Sequence, residues 1–149
     1  MIGILIITHG GLGDCLLGAA THVMCKPSLA TLNVRTVAVQ PDSDRPALEA
    51  ELKSLVNVLN DGTGVLVFSD IYGATPSNLA ASLLTPGRVE GFAGVNLPML
   101  VRALSSREQT LSAVVTKLKE VAGESVVYIT SDCCNDYSRQ YKPHAAAQA

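Results

Sequence analysis

Ile2-Gly3-Ile4-Leu5-Ile6-Ile7-Thr8-His9-Gly10-Gly11-Leu12-Gly13 is the stretch on which the fold turns. A short apolar run bounded by glycines reads as a strand of a parallel sheet, buried on both faces. The amphipathic stretch that follows reads as a helix. His9 therefore stands where strand hands over to helix, at the carboxyl edge of a sheet, where open α/β folds place their ligand chemistry. Imidazole is also the side-chain type whose proton balance lies nearest neutral pH.

Working outward, four more β-like runs appear at residues 34–39, 64–69, 89–95 and 126–131. Helical stripes lie between them. Leu16, Ala20, Val23 and Met24 form one, and Leu48, Leu52, Leu55, Val56 and Leu59 a clearer one. Leu111, Val114, Val115, Leu118 and Val121 form a third. Thr75-Pro76 and Asn96-Leu97-Pro98 each place a capping side chain ahead of a first-turn proline, and Gly62 and Gly123 follow helix ends. Strands alternating with helices imply right-handed crossovers and a parallel sheet. The expected architecture is a single doubly wound α/β domain with strand order 2-1-3-4 and helices on both faces. Residues 1–132 form that domain, and residues 133–149 read as a flexible tail.

The 149 residues suffice for one domain with a substantial core. Eleven Lys and Arg against 13 Asp and Glu give a formal charge of −2, without the basic footprint of a nucleic-acid binder. No apolar stretch approaches the roughly 20 residues of a membrane span. The N-terminus lacks the pattern of a signal peptide, so the expected location is the cytoplasm. Cys15, Cys25, Cys133 and Cys134 show no Cys-x-x-Cys spacing and complete no zinc site. Cys15 and Cys25 read as small core residues. The vicinal pair Cys133-Cys134 falls in the polar tail, without an assigned role.

Three site chemistries compete for the glycine turn. A dinucleotide fingerprint fails at its third glycine, because Gly11-Leu12-Gly13-Asp14-Cys15-Leu16 ends in Leu16, and no P-loop lysine exists. A phospho-aspartate receiver needs acids after strand one, where this chain has Thr8-His9, so a magnesium site lacks its ligands. The third possibility joins His9 to Asp70. In the order 2-1-3-4, strands one and three are neighbours and their carboxyl ends flank the switch point. A carboxylate bonded to one imidazole N–H fixes the tautomer and frees the other nitrogen as a nucleophile. The turns around Gly10 and Gly11 and around Gly73, Ala74 and Thr75 each open a helix, and their backbone N–H groups suit an anion. A histidine nucleophile beside an anion cradle, without metal ligands, fits phosphoryl acceptance on histidine. Against this, a histidine at a strand end is most often a satisfied structural residue, and helix capping alone accounts for Thr75. His22 reads as a solvent-facing residue of the first helix and His144 belongs to the tail.

Three segments carry a family resemblance: Thr8-His9-Gly10, Asp70-Ile71-Tyr72-Gly73-Ala74-Thr75-Pro76-Ser77-Asn78 and Gly94-Val95-Asn96-Leu97-Pro98-Met99-Leu100. Over residues 2–131 the chain resembles the enzyme IIA component of the mannose family of the bacterial sugar phosphotransferase system (PTS). The resemblance implies a four-stranded parallel sheet plus a C-terminal antiparallel strand, residues 126–131, which can be exchanged within a dimer. It implies that His9 takes a phosphoryl group from the carrier HPr and passes it to a IIB component. Asp70 would match the aspartate that orients the histidine, and Thr75 the hydroxyl residue near the phosphate. Ala74 stands where many members have a second glycine. If that position needs positive φ, alanine costs on the order of 1 kcal/mol. The dihydroxyacetone kinase phosphotransfer subunit shares the first motif but lacks the other two.

The expected function is thus a phosphotransferase intermediate in carbohydrate uptake, with His9 and Asp70 catalytic and Gly10, Gly11, Gly73, Ala74 and Thr75 around the phosphate. Neither metal nor organic cofactor is expected. The expected partners are HPr, a IIB component and a second copy of the chain, with a membrane permease engaged only indirectly. The alternative is a regulatory phosphorelay protein in which phosphorylation of His9 controls partner binding without sugar transport. A small-anion or nucleotide-binding module is a third reading.

Overall fold

The first apolar run is buried because both of its faces are covered. In the computed structural model, which describes residues 1–25 and 33–129, β1 spans Gly3–His9, and every residue through Thr8 is buried. Its side chains alternate between two cores. Ile4 and Ile6 point into one, built with α1 (Leu12–Val23), α4 (Leu97–Ser106) and α5 (Leu111–Glu124). Leu5 and Ile7 point into the other, built with α2 (Arg45–Leu59) and α3 (Thr75–Ala81). A run that is apolar at every position is what such a two-sided strand requires.

Strands β2 (Val34–Val39), β3 (Val65–Ser69) and β4 (Val89–Ala93) complete a parallel sheet of order β2-β1-β3-β4. The chain leaves β1 toward β2 on one side and returns to β3 on the other, so the order reverses between β1 and β3. The loops after these two strands diverge there and open a crevice at the carboxyl edge. The register sets His9 opposite Val39, and Ile7 opposite Ser69, one residue before Asp70. Phe68 is fully buried and stacks on Phe92 of β4 at 6.0 Å between centroids.

The helices follow their stripes, with Val23 of α1 the exception. Leu52, Val56 and Leu59 of α2 are buried, as are Leu111, Val114 and Leu118 of α5. On α1 Ala20 is buried and Leu16 and Met24 pack against the same core, as the stripe expected, whereas Val23 is exposed and Gly13 and Leu17 are buried in addition. Gly13 brings the start of α1 onto the sheet. Its N–H donates to Thr8 Oγ1 at 2.9 Å, and a Cβ in its place would press on Ile6 and Thr8 at 3.2 Å. The helix therefore lies close on β1 through its first turn. The expectation that Cys15 and Cys25 are core residues is corrected: both are exposed free thiols, Cys15 on α1 and Cys25 just beyond its end. His22 is exposed as expected.

Two further expectations change. Gly123 lies inside α5 rather than beyond its end. The C-terminal antiparallel strand is not formed in the described part of residues 126–131: residues 126–129 adopt no strand, and the side chains of Val126, Val127, Tyr128 and Ile129 are exposed. Residues 130 and 131 and the segment 133–149, with Cys133, Cys134 and His144, lie outside the described residues. No helix among the described residues is long and apolar enough to cross a membrane.

Candidate functional site

His9 closes β1 with its side chain half exposed, and Asp70 follows β3 with its side chain 8% exposed. Their adjacency comes from the sheet order, which makes β1 and β3 neighbours. Asp70 Oδ2 accepts the backbone N–H of His9 at 2.8 Å and lies 2.8 Å from His9 Nδ1. Asp70 Oδ1 accepts the N–H of Ile71 at 2.8 Å. Burial pushes the Asp70 pKa up, but the N–H groups of His9 and Ile71 and the His9 ring outweigh it. The net result lies below the ordinary carboxylate value. An ionised carboxylate only accepts, so Nδ1 is the ring nitrogen that carries the proton toward it. In the neutral ring Nε2 then keeps its lone pair, and it has no hydrogen-bond partner among the described residues.

His9 and Gly10 line a cleft of about 530 Å³ together with Thr75 and Leu79 of α3. Its far wall is the segment from β2 into α2, including Gln40, Ser43 and Arg45. Sequence reasoning passed over this wall. The signal was available, because residues 40–44 also follow a strand whose end adjoins His9. The N–H of Gly10 bonds the carbonyl of Val39 at 3.2 Å and ties the two edges together.

The expected anion cradle is only partly open. The N–H of Gly73 donates to Ser77 Oγ at 2.8 Å and that of Ala74 to the Ile71 carbonyl at 3.3 Å. With the N–H of Gly10 on Val39, three of the five loop amides are used within the fold. Those of Gly11 and Thr75 have no partner among the described residues. Of the five, only Gly10 and Thr75 line the cleft.

Thr75 is not the helix cap expected from Thr75-Pro76. It is the first residue of α3, and Ala74 takes the cap position without a side-chain hydrogen bond. Ser77 reaches back to Gly73 instead, which leaves the exposed Thr75 hydroxyl without a partner among the described residues. Asn96 does cap its helix, accepting the N–H of Met99 at 3.0 Å. The concern over Ala74 also resolves. Its φ is −83°, in the extended region, and the left-handed residue of the loop is Gly73 at φ +84°. Alanine therefore carries no backbone strain there. No group of three or more His, Cys, Asp or Glu side chains converges among the described residues.

A family model described as "PTS system fructose IIA component", EIIA-man, matches residues 3–122. The chain belongs to the EIIA-man family. The match takes in both His9 and Asp70 and all four strands. Among curated relatives, the PTS system mannose-specific EIIAB component of Escherichia coli strain K12 is 31% identical over 108 residues, covering 72% of this chain and 32% of that protein. The PTS system fructose-specific EIIA component of Bacillus subtilis strain 168 is 43% identical over 63 residues, covering 41% of this chain and 43% of that protein. The alignments thus span less than half the length of either relative. Among solved structures, the PTS IIA protein associated with the fucose utilization operon of Streptococcus pneumoniae superposes with a TM-score of 0.73 at 26% identity. It covers 85% of this chain and 91% of that one. The strand order of this EIIA-man chain, with His9 and Asp70 at the switch point, is the arrangement expected from the three sequence segments.

Proposed function

We propose that this chain is a phosphocarrier whose His9 accepts a phosphoryl group from phosphorylated HPr and passes it to a IIB component in carbohydrate uptake. The observation that carries the reading is the 2.8 Å contact between His9 Nδ1 and Asp70 Oδ2 at the edge of the cleft. It commits Nδ1 to the carboxylate and leaves Nε2 as the nucleophile. In the transfer, the Nε2 lone pair forms the new P–N bond while the donor's P–N bond breaks. The electron pair returns to the donor ring, which leaves as neutral imidazole when its other nitrogen carries a proton. The phosphorylated His9 ring then holds the positive charge, with Nδ1–H retained on Asp70. Donor and acceptor are chemically alike, so the protein's task is positioning and charge stabilisation rather than driving force. The open amides of Gly11 and Thr75 and the Thr75 hydroxyl are the groups assigned to the phosphate.

A homodimer belongs to this reading, supported by Val126, Val127 and Ile129, which are 87%, 60% and 81% exposed in the single chain. Exposed apolar side chains clustered in one segment invite association with a second copy. The relay itself is placed in the cytoplasm, with any permease reached only through the IIB component.

The test is incubation with a phosphoenolpyruvate-driven carrier mixture containing HPr, followed by intact mass. The expected result is a gain of one phosphoryl group, lost in His9→Ala. An unmodified wild-type chain would overturn the reading.

A further inference from the structure

We propose that Arg45 is the cation that pairs with the phosphoryl group once it sits on His9, leaving Glu49 to do so. This rests on the phosphohistidine reading above and assigns a further residue to that site.

The argument begins with charge. One negative group, Asp70, already lies against the ring of His9, which lines the cleft. A phosphoryl group adds up to two more negative charges. The backbone donors expected to meet them are mostly spent, since the amides of Gly10, Gly73 and Ala74 bond within the fold. Asp70 accounts for the ring's charge but does nothing for the phosphoryl oxygens. Arg45 is the one residue with a permanent positive charge among the described residues lining the cleft that His9 and Thr75 share.

The second observation is that Arg45 is badly placed for the helix it begins. It is the first residue of α2, a helix of 15 residues, so its charge faces the positive end of the helix dipole. Its Nε pairs with Glu49 Oε1 at 3.0 Å, but with the cation N-terminal to the anion, the weaker order for an i,i+4 pair. The Arg45 side chain is 61% exposed and that of Glu49 34%, so solvent screens the contact and little holds the guanidinium there. A cation that serves its own helix poorly, tethered loosely at the rim of an anion-accepting cleft, fits a group kept for a ligand. A guanidinium also presents paired donors to phosphoryl oxygens, which a carboxylate neighbour does not consume once released. The other charged groups of its own segment are the carboxylates Asp42 and Asp44.

The experiment uses potassium phosphoramidate as the phosphoryl donor, so that docking of a protein partner plays no part. The rate of phospho-His9 formation and the phosphorus-31 titration of the adduct are measured for the wild type, Arg45→Gln, Arg45→Lys and Glu49→Gln. Arg45→Gln should slow labelling about tenfold, the scale of one charge-assisted hydrogen bond. It should also raise the phosphoryl ionisation by about half a pH unit, because the dianion loses its counter-charge. Arg45→Lys should recover part of both, and Glu49→Gln should label at least as fast as the wild type. A purely structural role for Arg45 would leave the phosphorus titration unmoved. Labelled His9 with an unchanged rate and titration in Arg45→Gln overturns this proposal alone. Absence of label on wild-type His9 overturns the phosphohistidine reading together with it.

Discussion

A single oxygen of Asp70, Oδ2, lies 2.8 Å from the backbone nitrogen of His9 and 2.8 Å from its ring Nδ1. The carboxylate thus fixes both where the histidine backbone sits and which way its ring turns. Asp70→Asn keeps the shape but offers an amide whose N–H₂ faces an N–H donor in one of its two orientations. The variant should fold and transfer a phosphoryl group about 10²-fold more slowly, as when an imidazole loses its orienting carboxylate. Single-turnover transfer alongside thermal unfolding measures both. An unchanged rate in a folded variant removes Asp70 from the mechanism.

The same contacts make Asp70 a source of acid sensitivity. Its folded pKa is lowered, so unfolded chains bind its proton first as pH falls. The stability it contributes is complete above the ordinary carboxylate pKa of about 3.9 and is lost as pH drops through the lower folded value. Asp70→Asn should therefore show a shallower fall of urea midpoint below about pH 4 than the wild type. Parallel acid slopes for the two proteins would contradict the assigned direction.

Ser77, not Thr75, secures the loop into α3. Ser77→Ala leaves the Gly73 N–H without its 2.8 Å acceptor and should cost about 1 kcal/mol in urea unfolding. Thr75→Ala removes a hydroxyl without a partner among the described residues and should change stability by less than about 0.5 kcal/mol. The same Thr75→Ala variant should still slow phosphoryl transfer. The reverse order of stabilities would restore Thr75 as the cap.

The sheet was legible because its signals are redundant. β1 runs apolar from Gly3 through Ile7, and the strand–helix alternation points to a parallel sheet. His9 and Asp70 followed from the order 2-1-3-4, since each ends a strand flanking the reversal. What escaped was set by contacts distant in sequence or by a choice between neighbours. Thr75 and Ser77 both had the chemistry to secure one helix start, and only the path of the Gly73 turn selects Ser77. The stripe of α1 holds at Leu16, Ala20 and Met24, but the burial of Gly13 was not legible, because the Gly13–Thr8 contact draws the first turn onto β1. Arg45 carried no local motif, and its nearness to His9 depends on the pairing of β1 with β2.

The exposed run Val126–Ile129 should place the chain in a homodimer. Sedimentation equilibrium at micromolar concentration should give twice the chain mass. Val127→Lys should shift the population toward monomer, because a charge would have to be buried at the pairing surface. A clean wild-type monomer would sink the dimer while leaving phosphorylation untouched.

His9 should be the only phosphorylated residue, and the bond should be to Nε2. Among the described residues it alone joins a nucleophilic ring at the carboxyl edge of the sheet to a carboxylate partner and a cleft with open donors. His22 is exposed on α1, outside that cleft. Asp70 holds the Nδ1 proton, so attack through Nδ1 would require breaking the 2.8 Å contact and leaving a carboxylate that is 8% exposed without its ring partner. The adduct should survive base and hydrolyse in acid, as a phosphoramidate does. Phosphorylation by a phosphohistidine carrier, then peptide mapping under alkaline conditions, locates the label, and phosphorus-31 spectra of the adduct distinguish the two ring nitrogens. Undiminished labelling of His9→Ala would overturn the functional reading. A label on Nδ1 would overturn only the role of Asp70, since it would mean that the carboxylate releases that nitrogen.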